Sequence, residues 1–454
     1  MQRGSNIGYI IAAFPLIAIG TYLLIKKPLW SFIILFVCNY LISGFTRYYP
    51  LPIPISLLMD ALIACAILTL LIKTTYEKVE WKRIYNPLAL IISIWLLYCI
   101  LELLNLNRAS LSDWSVKVRS MSFYPLIMVI MVSVLITKYK QVKLLLLLWA
   151  ILTILAALKG YWQKNHGFDA TELRWLYVEG GYRTHLISTG VRYFSFFTDA
   201  GNYGSCMGFS MVIFSIAAIY IKKHWLKGLY IIAGLAGAYG MIISGTRGAL
   251  IVPFAGFAFF VILSKKIKIA LSTIILIITS FCFLNFTTIG ENNALIRRMR
   301  SAFDKNDPSL NVRLENQKRL KEHLKDIPFG AGIGFGNTRD INNPDYEFMA
   351  IPRDSWFVNI WVQTGVVGLT LYVLVLFSGI IWGGYIIFFK IKNKELRGIL
   401  AALLAGVVGM TASAYGNELL GQYPNCYLYF ISFAVVFMGQ YYDKELLEKH
   451  ELLT

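Results

Sequence analysis

Apolar stretches of about 16–25 residues, long enough to cross about 30 Å of hydrocarbon as helices, alternate along this chain with short polar segments. They fall at 7–25, 29–45, 53–72, 87–104, 122–137, 142–158, 203–221, 226–244, 248–263, 267–284, 364–388, 397–416 and 424–440. The pattern predicts an all-α polytopic membrane protein of about 13 spans, or 12 to 14 because several runs are short. Two polar connections, roughly 159–202 and 285–363, exceed the length of turns. Three regions are therefore expected: 1–284 with ten spans and the first long loop, 285–363 as a large, partly helical loop, and 364–454 with three spans and a tail. The first run is followed by Lys26-Lys27-Pro28 without a small-residue cleavage site, so it reads as an anchor and not a signal peptide.

Composition excludes a soluble protein: 57% of the residues are hydrophobic and 15% charged, with mean hydropathy +0.60. The six cysteines lie in or at the ends of apolar runs with no CxxC spacing, as small core residues do. The net charge of +18 would suit a nucleic-acid partner, but its distribution argues for none. Basic clusters at 26–27, 73–83, 138–143, 222–227, 265–268, 390–397 and 444–449 fall on alternate connections, and positive charge in short loops marks the cytoplasmic side. The amino terminus is then outside and the carboxyl terminus inside. That cytoplasmic set holds 19 lysines and 2 arginines, whereas the rest of the chain holds 15 arginines and 7 lysines. Topology needs no arginine. A planar guanidinium that grips oxyanions in pairs of hydrogen bonds is what a phosphate-binding outer face requires, although contact with lipid headgroups would also account for single cases.

Where the eighth and ninth runs nearly touch, "SGTRGAL" sets Arg247 between Gly245 and Gly248, at the tip of a turn on the arginine-rich side. "RYFSFFTDAGNYGS" begins at Arg192, just ahead of the seventh run. "NVRLENQKRLKEHLKDIPFGAGIGFGN" is followed by "RDSWFVNIWVQTGVVGL". These three segments, in this order, resemble the O-antigen ligase and O-antigen polymerase superfamily: a small-Arg-Gly turn, an Arg-aromatic-Ser-x-Phe-x-Asp-Ala segment, and a large outer loop leading into Thr-Gly-x-x-Gly. The resemblance covers about 190 to 370. Ligases of that family usually carry a His-Asn pair eleven residues before the Thr-Gly glycine, where this chain has Asp354-Ser355.

The resemblance implies a metal-independent, inverting glycosyltransferase of the bacterial inner membrane with its site facing the periplasm. Its partners would be a polyprenyl-diphosphate-linked glycan, membrane lipid, and a glycan or lipid A-core acceptor. Polymerase, ligase and protein O-glycosylating activities stay open, with a transporter as the reading from another class. No cofactor and no metal is implied, because the outer face shows no ligand set of metal spacing; Asp304 and Asp307 are too sparse. Arginines would then stabilise the departing diphosphate: Arg247, then Arg313, which shares a helical stripe with Leu320 and Leu324, then Arg192 with Asp199 as its orienting partner. Arg313 could instead pair with Glu315 or Asp307, and Arg247 could simply snorkel. Asp354 stands in the family's polar position and is the candidate base, or else a helix N-cap. Arg353 beside it would keep it ionised, and Trp356 is the candidate sugar-stacking ring. The glycine-rich 328–336 reads as a flexible turn that lets backbone approach substrate. Asp60, deep in a span, has no evident partner.

Overall fold

The computed structural model describes residues 22–49, 53–105, 107, 110–187, 190–303, 308–336 and 346–451. Ten described helices are long and apolar enough to span a membrane, and two shorter apolar ones complete the set. In chain order they are α1 (Leu29–Tyr48), α2 (Ile55–Lys73), α3 (Pro87–Leu104), α4 (Leu111–Leu135), α5 (Tyr139–His166), α6 (Ala200–Tyr220), α7 (His224–Ile243), α8 (Arg247–Leu263), α9 (Ile267–Phe286), α10 (Trp356–Lys390), α11 (Lys394–Ser413) and α12 (Asn425–Phe437). Each overlaps a predicted run, whereas the first run, 7–25, lies mostly outside the described residues, as do Asp304 and Asp307. Among the described residues, β structure is confined to a two-residue antiparallel ribbon pairing Leu186 with Val191.

The apolar cores of α6 and α11 are 78% and 83% buried within the protein, and every residue of α12 is buried, against 6% for α9. The centre is therefore α6, α11 and α12, while α9 lies at the edge against α8 and turns most of its surface to lipid. Lipid tails compete equally for apolar side chains, so close backbone approach does the holding. A Cβ added at Gly409 of α11 would stand 2.3 Å from the Val252 carbonyl oxygen of α8. Asp60 finds a partner that its own span could not reveal: Arg119 and Tyr124 of α4 both donate to its carboxylate. Arg119 opens a π-helical turn in α4, and pairing is what makes an acid at this depth tolerable.

Helix α10 starts at Trp356, well ahead of its apolar run, and is broken at Gly365 (φ 64°, ψ −169°), a backbone region essentially reserved for glycine. Backbone groups freed by a break inside a membrane protein need new partners. The glycine-rich segment supplies them: Ala331 N–H donates to Val362 O at 2.9 Å, Gly332 N–H to Gln363 O at 3.0 Å, and Val367 N–H to Pro328 O at 3.2 Å. Gln363 Oε1 accepts in turn from Gly334 N–H at 2.8 Å. Residues 330–335 are buried. The segment read as a flexible approach to substrate is instead a plug whose backbone approaches the broken helix, and glycines are required because a Cβ at Gly330 would lie 2.4 Å from Gly365 N. This dock fixes the large loop over the loop-bearing end of the bundle.

Candidate active site

The α7–α8 turn is built first from Gly245, whose φ of +60° lets the chain reverse, and then from Thr246. The Thr246 hydroxyl donates to Ala200 O at 2.8 Å and accepts from Arg192 Nη2 at 2.9 Å. Arg192 Nη1 donates to Thr184 O at 3.0 Å, so the turn, the 190–199 segment and the start of α6 are tied together. Arg247, half-buried, follows as the first residue of a 3-10 turn opening α8 and donates through Nη1 to Ser301 Oγ at 3.2 Å. Arg298, on the short loop helix Ala294–Arg300, donates through Nε to Gly245 O.

Arg192, Arg247 and Arg298 line one cavity of about 700 Å³ with Arg313, which comes from the loop helix Pro308–His323. Asp354 is the one acidic side chain among the described lining residues. It lies 3.8 Å from Arg313 Nε, with both groups partly exposed, too far for a direct hydrogen bond and too wet to be worth much as an ion pair. Burial lowers the Arg192 pKa from its usual value; Asp199 opposes that shift, and the like charges of Arg247 and Arg313 add to it. An anion entering the cavity would relieve this repulsion. Leu250, Ile251, Phe254 and Ala255 of α8, Phe281 of α9 and Phe303 form an apolar wall backing onto the lipid-facing side.

A family model described as O-antigen ligase matches residues 231–373. Over those residues the chain is similar to the O-antigen ligase family. No curated protein matches it significantly. The match supports glycan transfer of O-antigen ligase type, with lipid-linked glycan and membrane lipid as the partners that family implies, and the ten long apolar helices fit a multi-pass membrane protein. The O-antigen ligase match runs from α7 into α10 and takes in Arg247, Arg298, Arg313 and Asp354; Arg192, Tyr415 and Asn417 reach the same cavity from outside it.

The remaining sequence candidates are placed elsewhere. Ser355, not Asp354, caps α10, its hydroxyl accepting from Val358 N–H at 3.4 Å, so Asp354 stands one residue before the cap with its carboxylate toward the cavity. Arg353 turns away: Nη1 donates to Phe335 O at 2.8 Å and the guanidinium covers the Phe335 ring. The charge facing Asp354 is therefore that of Arg313. Trp356 is 1% exposed and donates from Nε1 to Tyr372 Oη at 2.8 Å, which leaves no face for a sugar. Asp199 caps α6, accepting from Asn202 N–H at 2.9 Å and Thr198 Oγ1 at 3.1 Å. Sequence reasoning missed Arg298, Gln317, Tyr415 and Asn417. Arg298 stands in "LIRRMR" beside Arg297 and Arg300, and nothing in that string says which of the three faces inward. Tyr415 stood inside the predicted 397–416 run and Asn417 just past its end, where the sequence turns polar.

Proposed function

We propose that this protein transfers a glycan from a polyprenyl diphosphate to an acceptor hydroxyl on the periplasmic face of a bacterial inner membrane, as an O-antigen or exopolysaccharide polymerase. One observation carries the reading. Four guanidiniums from four separate segments line one cavity that also carries an apolar wall from α8 and α9, a pairing that suits a diphosphate carried on a lipid. The lysine clusters support a cytoplasmic position for the opposite end.

In this reading the carrier's chain lies along the α8 and α9 wall and its diphosphate among Arg192, Arg247, Arg298 and Arg313. The acceptor oxygen attacks the anomeric carbon from the face opposite the diphosphate, and the glycosyl–oxygen bond breaks with inversion. Its electron pair leaves on the diphosphate, whose growing charge the arginines stabilise. The hydroxyl proton passes to the Asp354 carboxylate. In this reading the arginines carry the electrostatic work.

The description of the matching family favours a second reading, transfer to lipid A-core; Asp354-Ser355 in place of the His-Asn pair favours the first. Purified protein supplied with its host's polyprenyl-linked glycan should build longer chains on the carrier, and should do so in EDTA. Product appearing on lipid A-core instead would establish the ligase, and a loss in EDTA restored by magnesium would show the leaving-group chemistry to be wrong.

A further inference from the structure

The lining also includes a polar set away from the arginines in sequence, Gln317, Asp354, Tyr415 and Asn417. Tyr415 is 57% exposed. Exposed aromatics on membrane proteins ordinarily belong to the interfacial belt at the lipid rim. Tyr415 sits on the turn joining α11 and α12, the most enclosed spans of the protein. It lines the same cavity as the four arginines. Beside it, the Asn417 Nδ2 donor is buried with no hydrogen-bond partner among the described residues. A flat apolar face next to two carboxamides and a carboxylate matches a pyranose, whose C–H-rich face covers a ring while its hydroxyls take the polar groups. The aromatic platform that the sequence suggested for Trp356 is available at Tyr415.

Building on the glycan-transfer reading above, we propose that Tyr415, with Gln317 and Asn417, forms the acceptor-saccharide subsite, holding the sugar whose reacting hydroxyl faces Asp354. The donor diphosphate and its lipid then occupy the arginine and apolar side. Each substrate has its own wall, and the two meet between Arg313 and Asp354.

The full-length protein in nanodiscs can be titrated by calorimetry with two probes: undecaprenyl diphosphate, and lipid-free oligosaccharide released from the surface glycan of the strain that encodes the protein. Tyr415→Ala should weaken oligosaccharide binding about three- to tenfold while leaving the diphosphate within about twofold of wild type. Tyr415→Phe and Tyr415→Trp should restore saccharide binding, and Arg247→Ala should show the reverse selectivity. Unchanged saccharide affinity in Tyr415→Ala, or equal loss for both probes, overturns the subsite. A wild-type protein that binds saccharide through Tyr415 but ignores the diphosphate overturns the donor assignment above and leaves the saccharide subsite standing.

Discussion

At the lysine-rich end of the bundle, Glu395 accepts from Tyr139 Oη at 2.9 Å, Lys143 Nζ at 3.3 Å and Lys222 N–H at 3.3 Å, while Asp443 accepts from the backbone of Lys392 and Asn393 at 2.9 and 2.8 Å. Acids there close helix ends and hold loops. At the other end, Arg192, Arg247, Arg298 and Arg313 surround open space and share one carboxylate in the described lining. Positive charge is thus joined into the architecture at one end and gathered around a cavity at the other. Exposed, flexible lysines suffice for topology and lipid attraction; forked guanidiniums held by neighbouring carbonyls and hydroxyls are pre-shaped for an oxyanion.

Arg47 sharpens the contrast, because the sequence groups it with the outer-face arginines. It is buried, donates to Ser195 O at 3.2 Å and Phe197 O at 2.5 Å, and lies over the rings of Trp175 and Phe194. It belongs to the architecture although it stands near the arginine end. Being an arginine on this side is therefore not enough; lining the cavity is what distinguishes Arg247.

The largest effect should come from Arg247→Ala, which should lower the transfer rate by about 10²–10³-fold with an unchanged melting midpoint in detergent. Arg247→Lys should keep only a small part of the rate, since it supplies charge without the fork. Near-wild-type turnover of the alanine variant would reduce the turn to topology and erase the contrast between the two ends. Arg47→Met should do the opposite. Removing donors from buried carbonyls should cost about 1–3 kcal/mol, read as a lower melting midpoint and yield, while the protein that does fold retains transfer. A selective loss of transfer at full stability would move Arg47 into the site.

The smallest effect concerns His185. Its Nδ1 lies 2.9 Å from Gly181 O and its Nε2 accepts from Ala200 N–H at 3.1 Å, at the start of α6. Burial, with the charge of Arg192 adding to it, pushes the imidazole down to about 4 from its usual 6.5. The fold therefore holds the neutral ring. The stability it contributes is complete above about pH 6.5 and is lost as pH falls from there toward 4. Hydrogen exchange across 181–200 should quicken over that interval in wild type and be flat in His185→Gln. An identical acid response in both would remove His185 as the cause.

Spans and the segregation of lysine from arginine were legible in the sequence because both depend on neighbours along the chain: a run is apolar or it is not, and a loop's charge is set by its own residues. The same local reading named Arg192, Arg247, Arg313 and Asp354, which the fold brings to one cavity. Only the tertiary structure decided that Ser355 and not Asp354 caps α10, that Arg353 and Trp356 turn away, that Arg298 rather than Arg297 or Arg300 lines the cavity, and that Arg119 answers Asp60. Each of these depends on which side of a helix or loop meets a segment distant in sequence. The direction of the loop is set by the glycine plug seated in the break at Gly365, and local periodicity carries no record of a contact made between one stretch of backbone and another.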